Sequence, residues 1–125
     1  MTNPGSILII DDEPLIRDLV TKILTEEGYQ VRTACHGREA LDVLQTHSFD
    51  LIISDLNMPK MDGKEFIREF RRVNTITPLL IITGALVHDG EIDGGVDLVL
   101  KKPFSAPVLV KTVSSIILHQ APSGG

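Results

Sequence analysis

Short apolar runs along the chain alternate with longer segments in which apolar residues recur every three or four positions. The continuous runs are Ile7–Ile10, Leu51–Ile53, Leu79–Ile82 and, more weakly, Leu98–Leu100. Continuous runs of this length are typical of parallel strands that helices cover on both faces. Residues Val31–Ala34 alternate between apolar and polar side chains instead, which predicts a less buried strand at an edge of the sheet.

Four segments between and after these runs have helical periodicity. The first begins at Pro14, which is tolerated in a first turn because no amide donor is needed there, and it ends at Gly28. The second follows Gly37, and Ser105 is predicted to cap the last. The apolar positions that mark these helices are expected to lie in the core: Leu15, Ile16, Leu19, Val20, Ile23, Leu24, Ala40, Leu41, Leu44, Phe66, Ile67, Phe70, Val73, Leu109, Val113, Ile116 and Ile117.

This order of elements predicts a three-layer, doubly wound α/β domain with five parallel strands. The segment Gly84–Gly95, before the last strand, has glycine at four of its twelve positions. Each interior glycine costs a helix up to about 1 kcal/mol relative to alanine, so a helix there should be short or degenerate. The length of 125 residues suits one domain over residues 1–125, with a core at about 6–118 and a tail or linker at 119–125.

Composition and charge narrow the classes of function. The chain is 42% hydrophobic and 23% charged, as soluble globular domains are, and its formal charge is −5. A net negative charge disfavours direct binding to nucleic acid. The single cysteine, Cys35, fits a reducing compartment, and no apolar run approaches the length that spans a membrane. We therefore expect a cytoplasmic protein.

Polar residues follow each of the buried strands. Asp11 and Asp12 follow the first, Asp55 the third, Thr83 the fourth and Lys102 the fifth. Each alone also suits a cap or a turn, but parallel strands would bring all of them to one edge, where such sheets bind ligands. Three carboxylates repel one another unless a cation neutralises them, and Mg²⁺ prefers oxygen ligands. The cluster therefore predicts a magnesium site.

Four stretches resemble the motif blocks of one family. They read Ile-Leu-Ile-Ile-Asp-Asp-Glu-Pro, Ser-Asp-Leu-Asn-Met-Pro-Lys-Met-Asp-Gly, Ile-Ile-Thr-Gly and Lys-Lys-Pro-Phe, and together they resemble the receiver domains of response regulators in bacterial two-component systems, including chemotaxis regulators. The resemblance runs from about Ser6 to Leu118. It implies a flavodoxin-like sheet with strand order 2-1-3-4-5. It also implies a phosphorelay function, with a histidine kinase or phosphotransfer protein as the donor.

The resemblance assigns the metal ligands and the acceptor. Asp55 would be the phosphoacceptor. Asp12, Asp55 and the main-chain carbonyl of Asn57 would bind Mg²⁺ directly, with Mn²⁺ as an alternative, and Asp11 would hold the ion mainly through water.

It also assigns the residues that contact the phosphoryl group. Thr83 would hydrogen-bond one phosphoryl oxygen and Lys102 would pair with another, aimed by a cis Lys102–Pro103 bond. The family usually has an aromatic residue three positions before the lysine, and Val99 stands there instead. Phosphorylation chemistry is then expected without an aromatic switch.

Two other classes of function compete with this reading. A pseudo-receiver would keep the fold and bind partners without phosphorylation, although all the expected site residues are present. A haloacid-dehalogenase-like phosphatase would place an Asp-x-Asp motif after the first strand, whereas this chain has Asp11-Asp12 there and its isolated acid, Asp55, on the third strand. We therefore expect a signalling module that switches a partner or an output domain, with no enzymatic activity beyond self-phosphorylation from small donors and autodephosphorylation.

Overall fold

The computed structural model describes residues 5–56, 63–84, 96 and 98–120. Among these residues, no helix combines the length and the apolar character needed to cross a lipid bilayer. Strands and helices alternate along most of the chain: β1 Ser6–Ile10, α1 Pro14–Glu26, β2 Gln30–Ala34, α2 Gly37–Leu44, β3 Leu51–Asp55, α3 Gly63–Arg71, β4 Leu79–Thr83, β5 Leu98–Lys101 and α4 Ala106–Gln120.

The five strands form one parallel sheet in the order β2-β1-β3-β4-β5. This confirms the predicted fold class and strand order. β3 and β4 are buried along their whole length, as their continuous apolar runs predict, and β2 is a mostly solvent-facing edge strand, as its alternation predicts. β5 forms the other edge, where Leu98 and Val99 are exposed.

The sheet separates two hydrophobic cores, because successive residues of a strand point to opposite faces. Leu8 and Ile10 of β1 pack with residues of α2 and α3, including Phe66. Ile7 and Ile9 pack on the other side with residues of α1 and α4. Helices therefore cover both faces, which is the three-layer arrangement that the sequence predicts.

The apolar face of α1 is narrower than its sequence suggests. The prediction that both apolar rows lie in the core is wrong for Leu15 and Leu19, whereas Ile23 of the same row packs against the core. Val20 and Leu24 are buried, whereas Leu15 is 84% and Leu19 is 47% exposed. Neighbouring rows lie about 100° apart around a helix, so the row through Val20 and Leu24 faces the sheet while Leu15 and Leu19 point away from it.

Other helix boundaries agree with the sequence, with one exception. Gly28 follows α1 with a positive φ of 97°, and the hydroxyl of Ser105 accepts the Val108 N–H at the start of α4. The prediction that Val73 lies in the core is wrong, because Val73 follows the end of α3 at Arg71 and is 84% exposed. The predicted weak helix within Gly84–Gly95 falls almost wholly outside the described residues.

Candidate functional site: the carboxyl rim of the sheet

The parallel register brings the predicted polar residues to one edge of the sheet. Asp55 is the last residue of β3 and pairs with Ile82 of β4, while Thr83 pairs with Lys101. Asp11 directly follows β1, and its N–H donates to the carbonyl of Ala34 at the end of β2 (3.1 Å). Four strand ends therefore supply one site, which we call the carboxyl rim.

Three carboxylates of the carboxyl rim lie close enough to share one cation. Asp11, Asp12 and Asp55 each offer an oxygen atom, and these atoms all lie within 4.8 Å of one another. Asp11 and Asp55 are buried, whereas Asp12 faces solvent. An all-oxygen donor set with one open side fits Mg²⁺, which usually keeps several waters and takes one or two carboxylates.

Lys102 is the cation of this cluster. Its Nζ lies 3.3 Å from Oδ2 of Asp55, 3.4 Å from Oε1 of Glu13 and 3.7 Å from Oδ2 of Asp11. Burial lowers the pKa of Lys102, but attraction to Asp11 and Asp55, together with hydrogen bonds to Asp55 and Glu13, outweighs burial and raises the pKa overall. The side chain therefore stays an ammonium ion throughout the physiological range.

Asp11 is held by its main chain as well as its carboxylate. Its Oδ1 accepts the Glu13 N–H (2.9 Å), and its carbonyl accepts a hydrogen bond from Arg17 Nη1 (2.8 Å). Burial raises the pKa of Asp11, and the negative charges of Asp55 and Glu13 raise it further, against the Glu13 N–H and Lys102, which lower it. Burial and the neighbouring negative charges thus disfavour the ionised form of Asp11.

Thr83 and Lys102 are joined through the backbone. Thr83 is fully buried, and its carbonyl accepts the Lys102 N–H at 2.9 Å. The Lys102–Pro103 bond is cis, which confirms that prediction. Among the described residues, a Cβ added to Gly84 would meet the Lys102 Cβ at an ordinary contact distance of 3.8 Å. Asn57, the predicted carbonyl ligand, lies outside the described residues.

Two contacts in the structure have no counterpart in the sequence reasoning. Glu13 reaches Lys102, although the sequence suggests only that it extends the acidic run. His36, which the sequence leaves without a role, is the N-cap of α2: its Nδ1 accepts the Glu39 N–H (3.2 Å), and Glu39 Oε1 accepts the Cys35 N–H (3.1 Å). The glutamate three positions after His36 is the signal, because this reciprocal pattern resembles a capping box.

The fold and the site define a doubly wound α/β domain with an acidic, lysine-containing pocket at the carboxyl ends of its strands. The family model for the response regulator receiver domain matches residues 7–114. The chain belongs to this family, whose members are phosphoacceptor modules of two-component signalling.

Individual proteins agree with this assignment. A probable transcriptional regulator, ycf27 of Cyanidium caldarium, is 41% identical over 114 residues, which cover 89% of this chain and 45% of that protein. Chemotaxis response regulator CheY4 of Vibrio cholerae superposes with a TM-score of 0.85 at 38% identity, covering 92% of this chain and 99% of that one. Response regulator TrrA of Thermotoga maritima, solved in complex with Mg²⁺-BeF, superposes with a TM-score of 0.83 at 32% identity. The match covers 89% of this chain and 97% of that one. The chain spans about half the length, or less, of the curated relatives that it matches.

Proposed function

We propose that this receiver domain accepts a phosphoryl group on the side chain of Asp55. The observation that carries the proposal is the position of Asp55: it is buried at the end of a central strand, 3.3 Å from Lys102 Nζ, and shares a possible cation site with Asp11 and Asp12. A carboxylate is the nucleophile that this reaction needs, and the Lys102 ammonium ion beside it can attract the incoming phosphoryl group.

Asp11, Asp12 and Asp55 would hold the magnesium ion, with the carbonyl of Asn57 proposed as a further ligand and Mn²⁺ as an alternative metal. When bound, the ion supplies positive charge that neutralises carboxylate and phosphoryl oxygens. Three carboxylates, one divalent cation and the Lys102 ammonium are together neutral. The complex of TrrA with Mg²⁺-BeF supports this proposal, since that chain is 32% identical to this one.

In the proposed transfer, an Asp55 carboxylate oxygen attacks phosphorus while the bond from phosphorus to the donor breaks. For a phosphohistidine donor the broken bond is P–N, and its electron pair stays on the imidazole nitrogen. Lys102 attracts one phosphoryl oxygen and Thr83 donates its hydroxyl to another, so charge that develops on these oxygens is stabilised. Phosphorylation replaces one negative charge by about two, which changes the field at the carboxyl rim.

The proposed role is that of a signalling module rather than an enzyme acting on other substrates. The donor would be a histidine kinase or phosphotransfer protein, and the recipient of the signal a partner protein or an attached output domain. We propose one domain over residues 1–125, with its core at about 6–118 and a tail or linker at 119–125, the first two residues of which extend α4. We propose that it acts in the cytoplasm without direct contact to nucleic acid or membrane.

The test is phosphorylation by acetyl phosphate in the presence of Mg²⁺, followed by intact-mass and peptide mapping. We expect one phosphoryl group on Asp55, and its loss in Asp55→Asn. Asp42→Asn, an exposed aspartate of α2, is the control of equal charge change and should label normally. Labelling that persists in Asp55→Asn contradicts the assignment. A folded wild-type protein that never labels, even with kinases of its own organism, favours the pseudo-receiver alternative.

A further inference from the structure

The side chain of Glu13 does not cap α1, although Glu13 stands at the N-cap position. Glu13 is the N-cap residue of α1, where a side chain commonly accepts helix N–H groups, yet it makes no such bond. Its main chain is fixed on both sides, because its N–H donates to Asp11 Oδ1 (2.9 Å) and its carbonyl accepts the Arg17 N–H (2.9 Å). The carboxylate extends instead to Lys102.

Lys102 is consequently shared between two kinds of carboxylate. On the buried side its Nζ faces Asp55 at 3.3 Å and Asp11 at 3.7 Å. On the solvent side it faces Glu13 at 3.4 Å, and the Glu13 side chain is 59% exposed. The Asp55–Lys102 and Glu13–Lys102 distances are so similar that neither carboxylate holds the ammonium ion alone.

We propose that Glu13 is a positioning residue, which competes with Asp55, and later with the phosphoryl group, for the ammonium ion of Lys102. The proposal rests on the proposed function, since it concerns the same lysine. In the resting protein Glu13 shares the ammonium ion with Asp55. When an anionic group occupies Asp55, the lysine has to exchange Glu13 for a phosphoryl oxygen.

This competition predicts that removing the Glu13 charge raises the affinity of the site for a phosphoryl group or its mimic. Removing the Glu13 charge leaves Lys102 one fewer anionic partner, so the lysine is more available to a phosphoryl oxygen or its mimic. Because Glu13 is largely exposed, the pair is a weak one, and its loss should change anion affinity by about two- to fivefold. The effect should shrink at high salt, which screens exposed charges.

Three variants separate ion pairing from a general charge effect. Glu13→Gln removes the charge and keeps the length of the side chain. Glu13→Asp keeps the charge but is one methylene shorter, and an aspartate at an N-cap accepts helix N–H groups, which turns it away from Lys102. Glu26→Gln makes the same chemical change at the other end of α1, about 20 Å away along the helix.

The first measurement is the affinity of each protein for beryllofluoride in the presence of Mg²⁺. The second is the Lys102 Cε–Hε cross-peak of the metal-free protein by NMR, which does not depend on phosphorylation. We expect Glu13→Gln and Glu13→Asp both to bind beryllofluoride about two- to fivefold more tightly at low salt and to shift the Lys102 peak. Glu26→Gln should match the wild type in both measurements.

Two results overturn the proposal. If Glu13→Gln leaves affinity and the Lys102 peak unchanged, the contact has no role. If Glu13→Asp behaves as wild type while Glu13→Gln does not, only the general negative charge matters. Failure of the proposed function is distinguishable, because wild-type protein would then not bind beryllofluoride, whatever happens to the Lys102 peak.

Discussion

At the amino end of the sheet, Asp50 accepts hydrogen bonds from the N–H (2.8 Å) and the hydroxyl (3.3 Å) of Ser6, at the start of β1. At the carboxyl end of the same strands, Asp11, Asp12 and Asp55 lie together, and one carboxylate oxygen of each lies within 4.8 Å of the other two. Asp50 is thus paired with two donors of Ser6, whereas Asp11 and Asp55, although they also face Lys102, lie beside other carboxylates.

The difference separates a structural acid from a functional one. A carboxylate that accepts a main-chain N–H joins two strands and stabilises the fold. A buried carboxylate beside other carboxylates costs stability, and the pKa of Asp11 is raised first by burial and then by the negative charges of Asp55 and Glu13. The same substitution should therefore have opposite consequences for stability at the two ends.

The largest expected effect is the loss of Mg²⁺ binding when Asp12, the exposed carboxylate of the cluster, is replaced. Asp12→Ala should lose Mg²⁺ binding and phosphorylation together, because one of the three carboxylates that would hold the ion is gone, while the metal-free protein becomes no less stable. Metal binding by calorimetry and labelling by acetyl phosphate are the measurements. Normal phosphorylation of Asp12→Ala, or of the wild type in excess chelator, would refute the metal site.

The next effect is at Asp50. Asp50→Ala should lower the free energy of unfolding by about 1–2 kcal/mol, because the Ser6 N–H loses its acceptor. Urea unfolding measures the loss, and Mg²⁺ affinity should stay as in the wild type. Asp50→Asn, which keeps an acceptor oxygen, is the matched control and should retain part of the stability. A stable Asp50→Ala would abolish the contrast between the two ends.

A smaller effect, of opposite sign, is expected at Asp11. Because its pKa is raised in the folded state, the stability that its protonated form contributes is present below the ordinary carboxyl pKa and is lost as pH rises through the raised value. At pH 7 without metal, Asp11→Asn should therefore be more stable than the wild type. The gap should close below about pH 3.9, where the wild-type carboxyl is also protonated. Urea unfolding at pH 7 and below about pH 3.9 is the measurement. If Asp11→Asn is less stable than the wild type at pH 7, the predicted stabilisation is wrong.

The smallest effect is expected at Val99, the uncharged neighbour of the carboxyl rim on β5. Its side chain is 41% exposed, so Val99→Ala should change stability by within about 0.5 kcal/mol and leave phosphorylation unaltered. Thr83→Ala, by contrast, should impair binding of the downstream partner after phosphorylation. Comparing the two variants in a partner-binding assay tests whether signalling proceeds without an aromatic switch. A large loss in Val99→Ala would show that this edge strand carries the signal.

The strands and the site could be predicted because their signals are local. An unbroken apolar run such as Leu79–Ile82 requires burial on both faces, and a parallel sheet then fixes where Asp55 and Lys102 meet. The outer row of α1 could not be predicted in the same way. Periodicity shows that Leu15 and Leu19 share a row, but only the packed sheet decides that the neighbouring row, with Val20, is the buried one.

Glu13 was missed for a related reason. The sequence shows an acid after Asp11 and Asp12, but the direction of its side chain depends on how α1 begins and on where β5 delivers Lys102, 89 residues later. Val73 was misplaced because apolar spacing continues beyond the last helical residue, Arg71. Contacts between distant segments and the exact ends of helices are therefore what the pattern alone leaves open.

The separation of the interior into two cores has a consequence for how this domain can change over evolution. Leu8 and Ile10 belong to one core and Ile7 and Ile9 to the other, with the backbone of β1 between them. Substitutions in different cores share few partners, so their effects on stability should add nearly independently. One side of the domain can then drift, or be redesigned for a new partner, while the other side keeps its packing and the carboxyl rim its geometry.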